Sequence, residues 1–126
     1  MITDHNKDIA TAFSKGEFSS VYDKLADNIE WNIVGERLLK GKEEVTAYCQ
    51  KTAQYFSEVD TDFRLMNVIA EGNQVMIDGT AEFISKSNKS TYISSCDVYS
   101  FEENKLREIY SYCIRTNKIW NIYINF

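Results

Sequence analysis

One acidic side chain, Asp97, lies in the middle of a stretch that is otherwise rich in aromatic and β-branched residues. The stretch covers residues 91–115, TYISSCDVYSFEENKLREIYSYCIR, and predicts two strands joined by a polar turn at residues 102–104. A carboxylate inside a half-buried strand is paired, faces the solvent or is functional. If Asp97 is buried, its pKa rises, and the neutral acid can donate a hydrogen bond while the charged form can act as a base. A structural aspartate, bonded to a tyrosine or a backbone amide, is the alternative.

The other residue types that carry out chemistry are few and scattered. The three cysteines, Cys49, Cys96 and Cys113, form no C-x-x-C pair, which indicates reduced thiols rather than a disulfide framework or a zinc site. A nucleophilic cysteine needs a nearby histidine or another charge that stabilises the thiolate. The single histidine, His5, lies near the N-terminus and is predicted on the surface. We therefore expect no cysteine–histidine pair, no Ser-His-Asp triad, no metal site and no cofactor.

The composition argues against several classes of partner. The chain has 126 residues, of which 44% are hydrophobic and 26% are charged, as expected of a single globular domain spanning residues 1–126. The net charge of −5 argues against a nucleic-acid partner and against an anionic membrane surface. No apolar run approaches the roughly 20 residues of a membrane span, and the acidic N-terminal stretch has no signal-peptide core. We expect a cytoplasmic protein.

Helical periodicity dominates the first half of the chain. The spacing of Ile9 and Phe13 predicts a first helix, and a short second helix follows it. Residues 29–34 alternate as a strand does, residues 35–41 predict a loop, and residues 42–56 predict a third helix.

From residue 61 onward the period changes to two. Residues 61–69 and 75–83 predict two strands around a turn, and they precede the strand pair in residues 91–115. Three helices, one early strand and then a run of antiparallel strands form an α+β order, in which the helices cover one face of a curved sheet. The apolar tail, residues 116–126, is predicted to pack on the body of the domain.

Four sequence pieces, in this order, resemble the SnoaL-like branch of the nuclear transport factor 2-like superfamily. They are the helix end KGEF followed by YDKLADNIEW, the loop and helix start VGERLLKGKEEV, the hairpin VIAEGNQVMIDGTAEF and the final DVYSFEENKLREIYSY. The resemblance implies a cone-shaped α+β barrel, in which a strongly bent, mostly antiparallel sheet wraps around three N-terminal helices and leaves a pocket inside. It implies no single activity, because the superfamily includes isomerases, cyclases, hydrolases, dehydratases and non-catalytic partners.

The family's catalytic positions are only partly kept. Ketosteroid isomerases use a first-helix tyrosine, a first-strand aspartate base and a protonated aspartic acid in the penultimate strand, and these places hold Ile9, Ile33 and Asp97 here. Limonene-epoxide hydrolases place an arginine and a second aspartate where this chain has Ser95 and Ser111. Polyketide cyclases of the SnoaL type rely on an acidic residue in the pocket. The resemblance therefore implies Asp97 as the catalytic candidate.

Strand parity predicts which other side chains accompany Asp97. Tyr99 projects to the same face of its strand, and Ser111 projects to that face from the neighbouring strand. Aromatic walls with a polar tip are typical of sites for apolar ligands, although the same residue types also build plain cores. Besides Asp97, the predicted pocket lining consists of Trp31, Ile33, Tyr48, Cys49, Phe83, Tyr99, Ile109, Ser111 and Cys113.

The opposite, convex face of the predicted sheet carries Val98, Tyr110 and Tyr112. An apolar face of that breadth is too large to leave uncovered on a monomer, so the pattern predicts a homodimer through the convex face. Three functions remain open. The chain can be a pocket protein for an unidentified small apolar molecule, an isomerase, cyclase or hydrolase that uses Asp97 as its acid–base group, or a non-catalytic protein-interaction module. The missing catalytic partners favour the first.

Overall fold

The computed structural model describes residues 2–116 of the chain. The helices are α1 (Ile2–Ser14), a 3₁₀ helix (Phe18–Lys24) and α2 (Lys42–Ser57). The strands are β1 (Leu25–Ile33), β2 (Arg37–Lys40), β3 (Asp60–Glu71), β4 (Gln74–Ile84), β5 (Ser90–Glu102) and β6 (Lys105–Thr116). The predicted packing of the apolar tail falls on residues 117–126, outside the described part.

The six strands form a single sheet in the order β2-β1-β6-β5-β4-β3. Neighbouring strands are antiparallel, except that β1 and β6 run parallel. Strands β2 and β3 lie at opposite edges, so the sheet stays open within residues 2–116 rather than closing into a barrel. The predicted α+β fold, with helices and a mostly antiparallel sheet, is confirmed as an open cone.

Both α-helices lie on the same face of the sheet. Helix α1 contacts β3, β4 and β5, and helix α2 contacts β1, β2 and β3. Gly16, just after α1, has a φ of +80°, a conformation that ends helices and that glycine adopts without steric cost. A side chain there would also collide with the ring of Phe56, so glycine lets the end of α1 approach α2 closely. The two helices therefore cover different parts of the concave face, α1 over β3 to β5 and α2 mainly over β1 and β2.

A β-bulge and a glycine occur together where β3 meets β4. The register between the two strands shifts between Leu65 and Asn67, which marks a bulge on β3. Gly79 on β4 lies opposite, and an added Cβ would collide with the carbonyl oxygen of Arg64. Bulges and glycines of this kind allow a sheet to curve. This stretch accordingly accommodates the bend that wraps the sheet around the helices.

The expectation of a loop at residues 35–41 is wrong, because this segment contains strand β2. β2 pairs with β1, with Leu39 opposite Trp31, and the Leu39 side chain is buried. The tight turn between the strands passes through Gly35, at a φ of +86°. A four-residue edge strand offers too few alternations to be distinguished from a loop. The strand predicted at residues 29–34 also starts earlier, at Leu25.

The hydrophobic core lies between the helices and the concave face of the sheet. Its buried members include Ile9 and Ala10 from α1, Val45 from α2 and Leu106 from β6. No helix in residues 2–116 is both long enough and apolar enough to cross a bilayer.

Candidate functional site

A cavity of about 210 Å³ lies between the helices and the concave face of the sheet. It is somewhat larger than the roughly 150 Å³ that holds a benzene molecule in an engineered protein. Side chains from α1, the 3₁₀ helix, α2 and every strand except β2 line it. The cavity therefore has the size of a single ring with a short substituent.

Asp97 lies on the concave face at the centre of the sheet. It is paired with Ile77 of β4 on one side and with Ser111 of β6 on the other. All three residues line the cavity, because directly paired residues point to the same side of a sheet. The carboxylate is thus placed by three consecutive strands, and a shift of one residue in any of them would turn its side chain or a neighbour away.

Hydroxyl groups surround the Asp97 carboxylate. The Ser14 hydroxyl, from the last turn of α1, donates to Asp97 Oδ2 at 3.2 Å, and the Ser14 and Tyr99 hydroxyls are themselves hydrogen-bonded. A serine has one hydroxyl proton, so with Ser14 donating to Asp97, Tyr99 donates to Ser14 Oγ. Tyr99 is fully buried. A chain of hydroxyl donors therefore runs from the core to the carboxylate.

Burial raises the pKa of Asp97 above its ordinary value, and the Ser111, Ser14 and Tyr99 hydroxyls partly oppose this by favouring the charged form. The pKa of Tyr99 is raised well above its ordinary range, first by burial and then by the charge of Asp97. Tyr99 thus keeps its proton and acts as a donor. Within this hydrogen-bonded group, Asp97 is therefore the residue that can change its charge.

Trp31 forms one wall beside the carboxylate. Its Nε1–H donates to Ser111 Oγ at 2.8 Å, which satisfies the polar atom of a buried indole. The Trp31 ring meets the edges of Phe13 and Tyr48 with ring centroids 5.0 and 5.3 Å apart. These edge contacts fix the indole, and with it the orientation of the Ser111 hydroxyl.

A second part of the lining is a cluster of phenylalanine rings. Phe56 of α2 stacks on Phe83 of β4 with centroids 5.4 Å apart and an interplanar angle of 10°. Phe63 of β3 meets both rings edge-on at 5.4 and 5.9 Å. The cavity therefore has a polar side at Asp97 and an apolar side at this phenylalanine cluster.

The exposed Glu36 marks where the lining reaches solvent. It follows the end of β1, and it lies close enough to Tyr48 and Cys113 to affect both. Burial first, then the charges of Asp97 and Glu36, raise the pKa of the Cys113 thiol to about 11. Burial and then Glu36 raise the pKa of Tyr48, while the guanidinium of Arg37, 5.5 Å from the Tyr48 ring centroid, opposes this. Neither Cys113 nor Tyr48 is ionised near neutral pH.

The structure brings most of the predicted lining together. Lining residues that the sequence predicted are Trp31, Ile33, Tyr48, Phe83, Asp97, Tyr99, Ser111 and Cys113. Cys49 and Ile109 do not line the cavity. Both are fully buried in the core, Ile109 between its paired neighbours Trp31 and Tyr99. Burial raises the pKa of Cys49 to about 12, which leaves this thiol unreactive.

The lining residues that were not predicted from the sequence include Ser14, Glu36 and Phe56. Ser14 ends a helix, where serines are commonly solvated, and only its contact with Asp97 reveals its role. Glu36 belongs to the segment expected to be a loop. Phe56 lies at the end of the predicted third helix, and nothing in its spacing distinguishes a cavity wall from the core. Within residues 2–116, no three His, Cys, Asp or Glu side chains cluster as metal ligands would.

The convex face of the sheet carries an apolar row across four strands. In register, Tyr110 of β6 lies beside Val98, Val98 beside Met76, and Met76 beside Ile69. Tyr110 is 37% exposed and Ile69 is 56% exposed. Tyr112 lies next along β6 and is 44% exposed.

Comparison with known proteins points to one family. The model of the SnoaL-like domain family matches residues 7–109. An NTF2-like protein of unknown function from Cytophaga hutchinsonii has 35% sequence identity and a TM-score of 0.83, over 90% of this chain and 100% of that chain. An NTF2-like protein from Burkholderia xenovorans has 24% identity and a TM-score of 0.70, over 89% of this chain and 91% of that one.

A more distant similarity concerns an enzyme. An LEH-like epoxide hydrolase from M. tuberculosis has 14% identity and a TM-score of 0.70, over 97% of this chain and 89% of that chain. At that identity the likeness concerns the fold alone. No functionally curated protein shows significant sequence similarity. The family match and the Cytophaga relative, together with the open cone around an internal cavity, establish that the chain belongs to the SnoaL-like domain family.

Proposed function

We propose that this protein binds a small apolar or aromatic molecule in its internal cavity, with Asp97 as the main polar contact. The observation that carries the proposal is the division of the cavity into a polar side at Asp97 and an aromatic side at Phe56, Phe63 and Phe83. Ligand pockets commonly combine apolar walls with a few placed polar groups. The three free cysteines support a cytoplasmic location.

Acid–base catalysis is the second candidate, because Asp97 is buried and hydrogen-bonded to Ser14. A buried carboxylic acid can give a proton to a ligand carbonyl or ether oxygen, or take one when charged. The places that hold a second catalytic group in the enzymes it resembles are occupied by Ile33, Ser95 and Ser111. This lack of a partner group favours binding over isomerase, cyclase or hydrolase activity.

Toluene titration followed by protein NMR tests the binding proposal. Toluene should shift the methyl signals of Ile77 and Ala81, which line the cavity, and leave those of exposed residues unchanged. The Ala81→Phe variant fills part of the cavity and should abolish these shifts, because the added ring occupies the ligand's volume. Ala53→Phe, on the exposed side of α2, is the matched control.

Toluene shifts that persist in Ala81→Phe, or that map to the convex face, would contradict the proposal. Asp97→Asn separates the two candidate functions. It removes the acid but keeps the shape, so a binder retains toluene binding with an altered affinity for polar ligands, whereas an enzyme loses turnover of its substrate with the fold intact.

We also propose that a second copy of this chain covers the convex face. The apolar row from Tyr110 to Ile69 crosses four strands, and half-exposed tyrosines are typical of interface anchors. A pairing of the same face on both copies would bury this row symmetrically.

A further inference from the structure

The cavity lining carries charge of one sign. Among the described residues that line it, the ionisable side chains with a charged form near neutral pH are Asp97 and Glu36, and no lysine, arginine or histidine takes part. The remaining polar lining consists of neutral hydroxyl, thiol and phenol groups. A lining of this kind offers acceptors and negative charge, but nothing that would neutralise an anion.

Within residues 2–116, neither carboxylate is paired with a cation. The ion pairs formed within residues 2–116 are Lys24–Asp23 and Arg64–Asp62, and both lie on the surface. Asp97 is surrounded by hydroxyls instead. A buried carboxylate without a cationic partner is costly to keep charged, and a cation that enters beside it recovers much of that cost.

Asp97 and Glu36 line the cavity from nearby parts of the sheet. β1 ends at Ile33, which is paired with Ser111, and Ser111 is paired with Asp97. Two strand spacings of about 4.8 Å put the backbone at the end of β1 roughly 10 Å from Asp97. Cys113 lies two residues beyond Ser111 on the same face of β6. The charges of both carboxylates contribute to its raised pKa. The cavity space beside Cys113 is therefore close to both carboxylates.

The walls nearest to Glu36 also favour a positive charge. Tyr48 and Trp31 line this side, and aromatic rings attract cations through their faces. Arg37, which does not line the cavity, already lies over the Tyr48 ring at 5.5 Å. The net charge of −5 on the whole chain adds a long-range attraction for cations.

We propose that the ligand is an organic amine with one apolar ring, bound with its ammonium group beside Cys113, between Asp97 and Glu36, and its ring against Phe56 and Phe83. This inference deepens the proposed function and requires the cavity to bind small molecules. The volume of about 210 Å³ accommodates one ring with a short chain. We expect carboxylates and phosphates to bind poorly, because they would meet two carboxyl groups and no cationic side chain in the lining.

Calorimetric titration with benzylamine, benzyl alcohol and benzoate tests the charge preference at nearly constant shape. At neutral pH, benzylamine should bind roughly tenfold more tightly than benzyl alcohol, as expected for one charge-assisted hydrogen bond, and benzoate should not bind. Glu36→Gln and Asp97→Asn should each reduce the preference for benzylamine over benzyl alcohol. Glu43→Gln, on the exposed start of α2, is the matched control and should leave it unchanged.

The outcomes distinguish this inference from the proposed function. If benzyl alcohol binds as tightly as benzylamine, or benzoate binds best, the amine inference is overturned while the cavity remains a binding site. If none of the three probes nor toluene binds, the proposed function fails with it. A preference for benzylamine that survives in both Glu36→Gln and Asp97→Asn would overturn the assignment to these carboxylates. Glu36 is exposed, so its variant keeps the test informative if Asp97→Asn does not fold.

Discussion

The Ser14 hydroxyl donates to the Asp97 carboxylate at 3.2 Å, across 83 positions of sequence. This contact joins the last turn of α1 to the central strand β5. The helix therefore takes part in setting the orientation and the proton affinity of the acid, and both depend on how α1 is docked on the sheet.

Ser14→Ala should raise the pKa of Asp97 further, because the lost hydroxyl favoured the charged form. It should also lower the free energy of unfolding by about 1 kcal/mol, since the Tyr99 hydroxyl loses its partner in the core. NMR titration of the Asp97 carboxyl carbon and urea denaturation measure the two effects. Ser19→Ala, on the exposed side of the 3₁₀ helix, is the control. An unchanged Asp97 titration in Ser14→Ala would contradict the assigned role.

Asp97 should make the fold less stable as the pH rises. Its pKa is raised in the folded state from an ordinary value of 3.8, so between these two values the folded protein binds more protons than the unfolded chain. The free energy of unfolding falls with pH wherever this holds. The favourable contribution is complete below pH 3.8 and is lost as the pH rises through the folded-state value.

Urea denaturation of the wild type and of Asp97→Asn over a pH series measures this contribution. The difference in unfolding free energy, wild type minus variant, should decline with rising pH and then level off. Asp62→Asn is the control, because it removes a carboxylate that lies on the surface in an ion pair with Arg64. A difference that grows with pH would mean that Asp97 is held in its charged form.

Gly79→Ala should destabilise the protein by about 3 kcal/mol, because its Cβ collides with backbone, which cannot rotate away. Gly72→Ala makes a useful comparison. Gly72 has a φ of +60° but open space around it, so its substitution should cost only about 1 kcal/mol of backbone strain. Thermal unfolding gives both values. If the two variants are equally stable, the close approach of β3 and β4 is not a rigid feature.

Sedimentation velocity at micromolar concentration should give the mass of a dimer. A double variant, Val98→Ser with Tyr110→Ser, should sediment as a monomer with unchanged circular dichroism, because it removes the centre of the apolar row. Tyr55→Ser replaces a residue that is 45% exposed on α2, away from the convex face, and should remain dimeric. A wild type that is monomeric at this concentration would contradict the proposed pairing.

Periodicity in the sequence was sufficient to predict the long helices and strands. Helix α2 and strands β3 to β6 each contain enough residues for a period to emerge, and the parity of Asp97, Tyr99 and Ser111 followed from it. The short β2 could not be found this way, because its four residues make one buried contact, at Leu39. Prediction from local sequence patterns is least reliable for a short element that is stabilised mainly by tertiary contacts.

The candidate site was predictable in part for the same reason. Alternation along β5 and β6 identifies which residues point inward, but it does not say which inward residues border a cavity and which are covered. Ile109 has the inward parity of its strand neighbours and Cys49 lies on the buried side of α2, and both are fully covered. Ser14 and Glu36 reach the cavity through tertiary contacts that carry no sequence period.

The parallel pairing of β1 with β6 has a consequence for how the domain forms. Trp31 meets its partner Ser111 only after 80 further residues have been added to the chain. Contacts between such distant segments are slow to form, because a long loop must close before they contribute. During synthesis, Trp31 and Ile33 have no neighbouring strand on that side until β6 leaves the ribosome. The hairpin of β1 and β2 therefore keeps one edge unpaired until β6 becomes available.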